Sequence, residues 1–560
     1  MKRAIALVIA FVLVGTSGFA EGANLDDSGQ EGTAALPWVI SSLADFQAFC
    51  SDSGYWDGHT RLDCDIDLTK VDPYTQAPIA GDTDTDSSFD GTAFSGTFNG
   101  NGHTLNNLTV SGPHYCGLFG KLANESKVIN LALKNASISS TKNYIGGIVG
   151  WNDGLIESCY LECSVGGDDF VGTVAGWNNL GQIVDCNSTG TVDGYVKIGG
   201  TAGQNNGTIS ESCSSATVNG KNYAGGMVGQ NDGTITGCHS TGQVNGDNDN
   251  IGGLVGYNHA GSITSSYWSG EVSGEFYVGG VTGRNTGTVT DCYSTGTIAG
   301  KDYIGGLVSV NEGTAARCYS TAQVDGDDYV GGLAAQNIGT ITKCYSTGMV
   351  TGIDDNVGGL VGDNSSGRIT SSYSTGTVSG DANIGGLAGN NNGDISCCYS
   401  TGEVIGRYAV GGLVGYLNNG SVTSCYSTGL ITGSSYFGGL AGKKGSGSVA
   451  DSFWDVETSL IGESGDSNFE AIGKTTTQMR NINTFLNADW DFDPDDDDWE
   501  DWQMPDGDYP ILYWQNACLY ILAGDLNRDC KIDLADLAIM ASNWMIDCIA
   551  DPTNSSCIPY

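Results

Sequence analysis

In the stretch GDLNRDCKIDLADLAIMASNW, residues 524–544, oxygen-bearing side chains fall at a spacing that suits a hard cation. Asp525, Asn527, Asp529, Asp533 and Asp536 stand at positions 1, 3, 5, 9 and 12 of a loop, and Lys531 offers its backbone carbonyl at position 7. Carboxylate, amide and carbonyl oxygens in that order are what calcium accepts. Ile532 supplies the hydrophobe that anchors such a loop at position 8, and Cys530 stands at position 6, where glycine usually makes the turn. Behind the loop, Leu534, Leu537, Ile539, Met540 and Trp544 follow the spacing of an amphipathic helix. Cys518, Cys530, Cys548 and Cys557 crowd the same region; they suit two disulfides, with three pairings open. The acidic run DFDPDDDDWEDW, residues 491–502, places Trp502 where the twelfth-position carboxylate would belong, so it reads as a solvated loop.

Other chemistry-bearing residues recur at a fixed interval. Asn152, Asn178, Asn205, Asn231, Asn258, Asn285, Asn311, Asn337, Asn364 and Asn391 form one series, which breaks at Leu417 and Lys444. Cys159, Cys186, Cys213, Cys238, Cys292, Cys318, Cys344, Cys398 and Cys425 form a second, with Ser266, Ser372 and Ser452 in place of cysteine. Beside it runs a tyrosine series, Tyr267, Tyr293, Tyr319, Tyr345, Tyr373, Tyr399 and Tyr426. A looser aromatic set comprises Phe170, Tyr223, Tyr277, Tyr303, Tyr329 and Tyr436. The acidic pairs Asp168/Asp169, Asp327/Asp328 and Asp354/Asp355 fall at equivalent turns and read as solvated corners. The five histidines, His59, His103, His114, His239 and His259, are scattered, and no HExxH zinc motif occurs. No stretch gathers an acid, a base and a nucleophile in one repeat and not in the others.

These series must be positioned by a repeating element. The phrase [IV]-G-G-[LMV]-x-G-x-N recurs with its first glycine, or the equivalent residue, at Gly146, Gly172, Gly199, Gly225, Gly252, Gly279, Gly305, Gly331, Gly358, Gly385, Gly411 and Gly438. Every step is 26 or 27 residues, and CGLFG, residues 116–120, is a divergent earlier copy. A strict period of this length marks a solenoid. Val, Ile, Thr and Tyr dominate the intervals in short pieces bounded by Gly, Asn and Asp, which is strand and turn chemistry. The expectation is an all-β, right-handed parallel β-helix of about 12–13 coils. Each coil would hold roughly three strands stacked at ~4.8 Å, giving a rod on the order of 55 Å long. Like residues then meet as ladders. Glycines serve corners through positive φ or close backbone approach, and the asparagines hydrogen-bond up the stack. The cysteines read as buried small side chains, because in-register strand spacing exceeds the Cβ separation that a disulfide prefers. Strand alternation turns either the cysteine or the adjacent tyrosine inward, not both. Outward tyrosines would pack on one another or stack on sugar rings.

Composition agrees with an exported rod. Among 560 residues there are 87 glycines and 9 prolines, and the formal charge of −42 disfavours nucleic acid and anionic membranes while favouring cations. Lys2 and Arg3, an apolar run over residues 4–14 and small residues ending at Ala20 give residues 1–20 the form of a signal peptide. No later stretch approaches the ~18 apolar residues of a membrane helix.

The phrases IGGLVGYN, VGGLVGDN and CYSTG resemble GLUG-motif repeats over roughly residues 116–454. Such repeats occur in exported bacterial surface and adhesin-like proteins and in non-catalytic parts of immunoglobulin A peptidases. The C-terminal loop resembles a dockerin-type calcium repeat, in which aspartate at position 12 is normal; dockerins that bind cohesins usually carry two loops, and one is present here. The organisation implied is a signal peptide (1–20), an N-terminal cap and first coils (21–114) with a capping helix region at 38–50, GLUG-type coils (115–454), a C-terminal cap (455–516) and a dockerin-like module (517–560). The function implied is a secreted, non-catalytic scaffold for adhesion or for interaction with extracellular protein or glycan, docked through a calcium-binding module to a cohesin-like partner. The alternative is a component that binds or degrades polysaccharide, glycosidase or lyase, attached through the same module.

Overall fold

The computed structural model describes residues 25, 31–84, 86–462, 471–492 and 502–515. Over the repeats it is a right-handed parallel β-solenoid. Each coil has four sides rather than three, as the coil at residues 302–326 shows. Its first face is Asp302–Gly305, its second Val308–Asn311 and its third Thr314–Ala316, while its fourth comprises Tyr319–Ser320 and Gln323–Gly326. The extra side arises because a coil turns at four places: the glycine pair, the Asn-x-Gly turn, and two residues in the left-handed region. In this coil those two are Tyr303 (φ 60°) and Arg317 (φ 52°).

Each strand pairs in parallel and in register with its counterpart one coil on, so Gly305 faces Gly331, Asn311 faces Asn337 and Tyr319 faces Tyr345. Among the described residues the first face holds 12 strands, the second 13 and the third 16. The CGLFG copy joins the stack, Phe119–Leu122 pairing with Val149–Asn152. At the far end, in-register pairing persists through Leu417 and Lys444 although the asparagine series has stopped.

The glycine pair works by close approach and not by positive φ. Neither Gly305 nor Gly306 is in the left-handed region. A Cβ on Gly305 would overlap the Val308 carbonyl oxygen, and one on Gly306 would overlap the Gly332 carbonyl oxygen of the next coil. The left-handed corners are instead filled mainly by larger residues, including Tyr223, Tyr277, Tyr303, Tyr329 and Tyr436 of the looser aromatic set. For an L-residue this conformation costs roughly 1–2 kcal/mol. The cost is tolerated because neighbouring coils fix the corner: Tyr303 stacks on Tyr329 at 4.5 Å and on Tyr277 at 5.0 Å.

One continuous core runs down the bore, with Ile304, Leu307, Cys318 and Val324 fully buried in the representative coil. At the N-terminal end a strand, Trp38–Ile40, pairs in parallel with His59–Leu62. It leads into helix α1, Leu43–Ser51, which starts where the Ser42 side chain accepts the Asp45 amide. Phe49 of α1 packs against Phe94 and Phe98, covering the apolar bore. At the other end the chain turns back along the fourth face. Two short helices, α2 (Thr476–Met479) and α3 (Ile482–Leu486), and a hairpin pairing Trp502–Gln503 with Ile511–Leu512 form this returning flap. Among the described residues no helix is long and apolar enough to cross a membrane.

Candidate functional site

The calcium-type loop, Asp525, Asn527, Asp529, Lys531, Asp533 and Asp536, lies outside the described residues. So do Cys518, Cys530, Cys548 and Cys557, and the leader-like residues 1–20. What the structure positions is the set of side-chain columns.

The ten asparagines from Asn152 to Asn391 are fully buried. Each of the first nine donates from Nδ2 to Oδ1 of the asparagine one coil on, at 2.7–3.0 Å. Their Nδ2 groups also reach backbone carbonyls, as Asn285 does to Thr314 at 3.3 Å. The column is thus a closed hydrogen-bond chain at a corner that would otherwise bury unpaired amides. Its last member, Asn391, donates to the Ser421 carbonyl at 3.2 Å, and buried Leu417 takes the next place.

The cysteine column differs from the sequence reading at one coil. Asn187 pairs with Cys213, and Cys213 with His239, so Cys213 belongs to the tyrosine column. Ser212 fills the cysteine position, where its Oγ receives the Cys186 amide at 3.0 Å. The intervals carry this signal: 186 to 212 to 238 keeps the 26-residue period, whereas 213 does not. Cysteine and serine exchange here because both complete the same backbone pairing. Cys318 Sγ donates to the Ala316 carbonyl and receives the Cys292 amide; Ser212 Oγ donates to the Ser210 carbonyl and receives the Cys186 amide. Burial pushes the Cys238 thiol up to about 12 and raises Cys292 and Cys344 as well. Thiols in that state are poor nucleophiles and poor metal ligands.

With the cysteines turned inward, the tyrosines face outward. From His239 to Tyr426 eight rings stack at 4.7–5.0 Å with interplanar angles of 1–6°. Each inner ring therefore has both faces covered by its neighbours and presents only its edge and hydroxyl. A pyranose needs a ring face, so stacking of sugars along this ribbon is blocked except at its end. The returning flap uses the edges. Trp514 lies against Tyr345 and Tyr373, Trp502 against Tyr399 and Tyr426, and Trp490 against Tyr426. Tyr426 donates its hydroxyl to the Pro510 carbonyl at 2.6 Å, Gln515 donates to the Tyr399 hydroxyl at 2.8 Å, and Trp514 donates to the Ser371 carbonyl at 2.9 Å. Tyr267, Tyr293 and Tyr319, half-buried, continue the ribbon beyond Trp514.

The acidic corners also stack. Asp302 pairs in register with Asp328, whose carboxylate receives the Asp355 amide at 2.8 Å. Burial, followed by the neighbouring carboxylates, raises the Asp302 and Asp355 carboxyls above their ordinary range. Arg407 forms a bidentate pair with Asp381 at 2.6–2.7 Å, and Lys301 pairs with Glu275 at 2.6 Å. The histidines remain apart, as expected. His239 is in the aromatic ribbon, His259 contacts Asp232, and His103 contacts Asp65.

Parts of the chain are similar to known proteins. The GLUG motif matches residues 247–273, 274–299 and 406–432. A stretch of 153 residues, 26% of this chain, is 37% identical to part of halomucin from Haloquadratum walsbyi. The chain spans 2% of the length of that protein. A solved structure described provisionally as an immunoglobulin A1 protease from Bacteroides ovatus is 16% identical. The alignment covers 87% of this chain and 94% of that one, with a TM-score of 0.19.

Proposed function

We propose that this protein is a secreted, non-catalytic β-helix scaffold for adhesion or extracellular interaction, which displays its flanks to a protein or glycan partner and docks through a C-terminal calcium module. The observation that carries this reading is the unbroken register of the coils. From Ile145 to Gly438 the first face pairs strand on strand without interruption. Such a stack is a stiff rod whose outward residues repeat at the strand spacing of ~4.8 Å, which suits repeated contact along a surface. The signal-peptide form of residues 1–20, the GLUG matches and the likeness to part of halomucin support an extracellular setting. Because the ribbon of tyrosines offers edges and hydroxyls, side chains of a protein suit it better than sugar rings do.

The calcium module rests on the ligand spacing of Asp525, Asn527, Asp529, Lys531, Asp533 and Asp536. A cohesin-like protein is the partner its dockerin resemblance suggests. Capture of partners from the native extracellular milieu tests the reading. Full-length protein retains a partner with calcium and releases it with chelator, and Asp525→Ala with Asp529→Ala abolishes capture while the far-ultraviolet spectrum of the rod is unchanged. Turnover of a polysaccharide by the purified chain, lost on one acidic substitution, would replace this reading with the enzymatic one.

A further inference from the structure

The aromatic column at the left-handed corner of the first face lacks one ring. Tyr223, Tyr277, Tyr303 and Tyr329 occupy equivalent positions there, with φ of 52–60°. Asn250 (φ 61°) stands between the first two, because Ala224 faces Ile251 and Ile251 faces Val278 in successive coils. Where the tyrosines follow one another they stack, Tyr277 on Tyr303 at 5.0 Å and Tyr303 on Tyr329 at 4.5 Å. Tyr223 and Tyr277 stand two coils apart, about 9.6 Å by the strand spacing, which leaves the depth of one ring between them. A cavity of about 380 Å³ opens at this rung. Tyr223 and Tyr277 wall it, Asn250 lies at its base, and Asp249, Arg284 and Gln336 border it.

Asn250 is the residue that points to a ligand. It is 8% exposed, it lines the cavity, and its side chain makes no hydrogen bond among the described residues. Where the same corner carries asparagine in two successive coils, the pair satisfies itself: Asn383 donates to Asn356 at 3.2 Å. Asn250, with a tyrosine on either side, has no such neighbour. A buried carboxamide is costly to leave unpaired, and it offers both donors and an acceptor. The border of the cavity is fixed as well. Arg284 donates to Glu312 at 2.6 and 2.9 Å, and its guanidinium lies 5.6 Å from the ring of Tyr257, which leans on Tyr223.

Two ring faces with a few polar groups between them suit a small ligand that is apolar on its faces and polar around its edge. A pyranose has that form. A cationic ligand would meet Arg284, and an anionic one would meet Asp249 and the formal charge of −42. A flat aromatic side chain would fit between the walls but leave Asn250 unpaired. We infer that the gap between Tyr223 and Tyr277 is a binding site for one neutral pyranose of a glycan. Its ring faces lie against the two tyrosines, and its hydroxyls meet Asn250, Asp249 and Arg284. The fourth-face ribbon blocks its own ring faces by stacking; this column opens two of them by omitting a rung. The site makes a glycan the partner on this flank, and it rests on the scaffold reading for its extracellular setting.

Saturation-transfer NMR on the full chain tests the site, with methyl β-glucopyranoside, methyl β-galactopyranoside and methyl α-mannopyranoside at millimolar concentration as probes. Saturation should reach the ring protons of at least one of them. Asn250→Tyr supplies the missing rung with the residue its neighbours already carry at this corner. It should abolish the transfer without lowering the melting temperature. Tyr277→Ala removes one wall and should abolish the transfer independently. Calcium-dependent capture does not enter this measurement, so the site and the docking reading fail separately. No transfer to any of the three glycosides, transfer that survives either substitution in a folded protein, or transfer to N-acetyltyrosinamide in their place overturns the site.

Discussion

At the scale of single residues, the asparagine column shows how a repeated side chain becomes structural. Asn311 accepts from Asn285 and donates to Asn337, so removing it disturbs two neighbours. Asn311→Ala should destabilise the rod by about 3 kcal/mol, the order expected when two buried polar groups each lose a partner. Asn391→Leu should cost less. Of the asparagines only Asn364 loses its partner there, with weaker bonds lost to the Gly393 amide at 3.3 Å and the Ser421 carbonyl at 3.2 Å, and the column already gives way to a buried leucine at Leu417. Urea unfolding of the two variants side by side checks the contrast; equal costs would mean that the column adds nothing beyond packing. The residues of this column were legible in the sequence because period and residue type agree. Strand alternation alone left open which of cysteine and tyrosine faces the bore, since its two answers differ by one residue; the reading of the cysteines as buried side chains chose between them, and the structure bears it out. Cys213 shows the same weakness. Its type matched the cysteine series, but its interval did not, and register outranks residue type in a parallel stack.

At the scale of elements, the decisive feature is the flap that returns along the fourth face. It is held by Trp490, Trp502 and Trp514, each seated on the edges of stacked tyrosines, and by hydrogen bonds across to the coils and tyrosine hydroxyls, including those of Trp490 to the Asp451 carbonyl and of Tyr509 to Asp455. Trp514 is 6% exposed. Trp514→Ala should therefore loosen the flap by about 3–5 kcal/mol, the usual cost of emptying a buried tryptophan site. The coils beneath do not depend on it, since their strands pair with one another. Limited proteolysis should cut within residues 456–515 faster in the variant, while the far-ultraviolet spectrum of the rod is kept. Loss of the rod signal in parallel would show that flap and solenoid fold as one unit. From sequence this segment reads as a terminal cap through its resemblance to the closing segment of GLUG-repeat proteins. Its course along the flank was not legible, because the partner surface, the aromatic ribbon, exists only after the coils have stacked. The number of sides was hidden for a related reason. Left-handed corners at Tyr303 and Arg317 carry no sequence signal of the sort glycine gives, and neighbouring coils supply what the residue itself lacks.

At the scale of the whole molecule, stacking like on like also stacks like charges, and the formal charge of −42 must be distributed along a rod. Two populations of carboxylates result. Asp169, Asp302 and Asp355 have raised values, through burial first and neighbouring carboxylates second. The folded state holds their protons more tightly than the unfolded chain does. They therefore oppose folding once pH rises above the ordinary carboxylate range, and the opposition is complete when they are ionised in both states. Asp67 is held down to about 2, chiefly by the Thr69 hydroxyl and then by Asn107 and the Thr69 amide; Asp65 and Asp381 are lowered as well, the latter by Arg407. These support folding above the ordinary range and lose that support as pH falls through their own low values. Between those regions the lowered set already supports folding and the raised set does not yet oppose it. Thermal stability should therefore peak near the ordinary carboxylate value of about 4 and decline on both the less acidic and the more acidic side. In calcium-free buffer the neutral-side decline should shrink with added salt. Successive coils lie ~4.8 Å apart, inside the ~10 Å screening length at 0.1 M ionic strength, so added ions weaken the repulsion between corners without removing it. Asp302→Asn should flatten the same neutral-side limb and leave the acid limb in place. A melting temperature that rises steadily from acid to neutral pH, unaffected by salt, would mean that the stacked corners do not govern the stability of the rod.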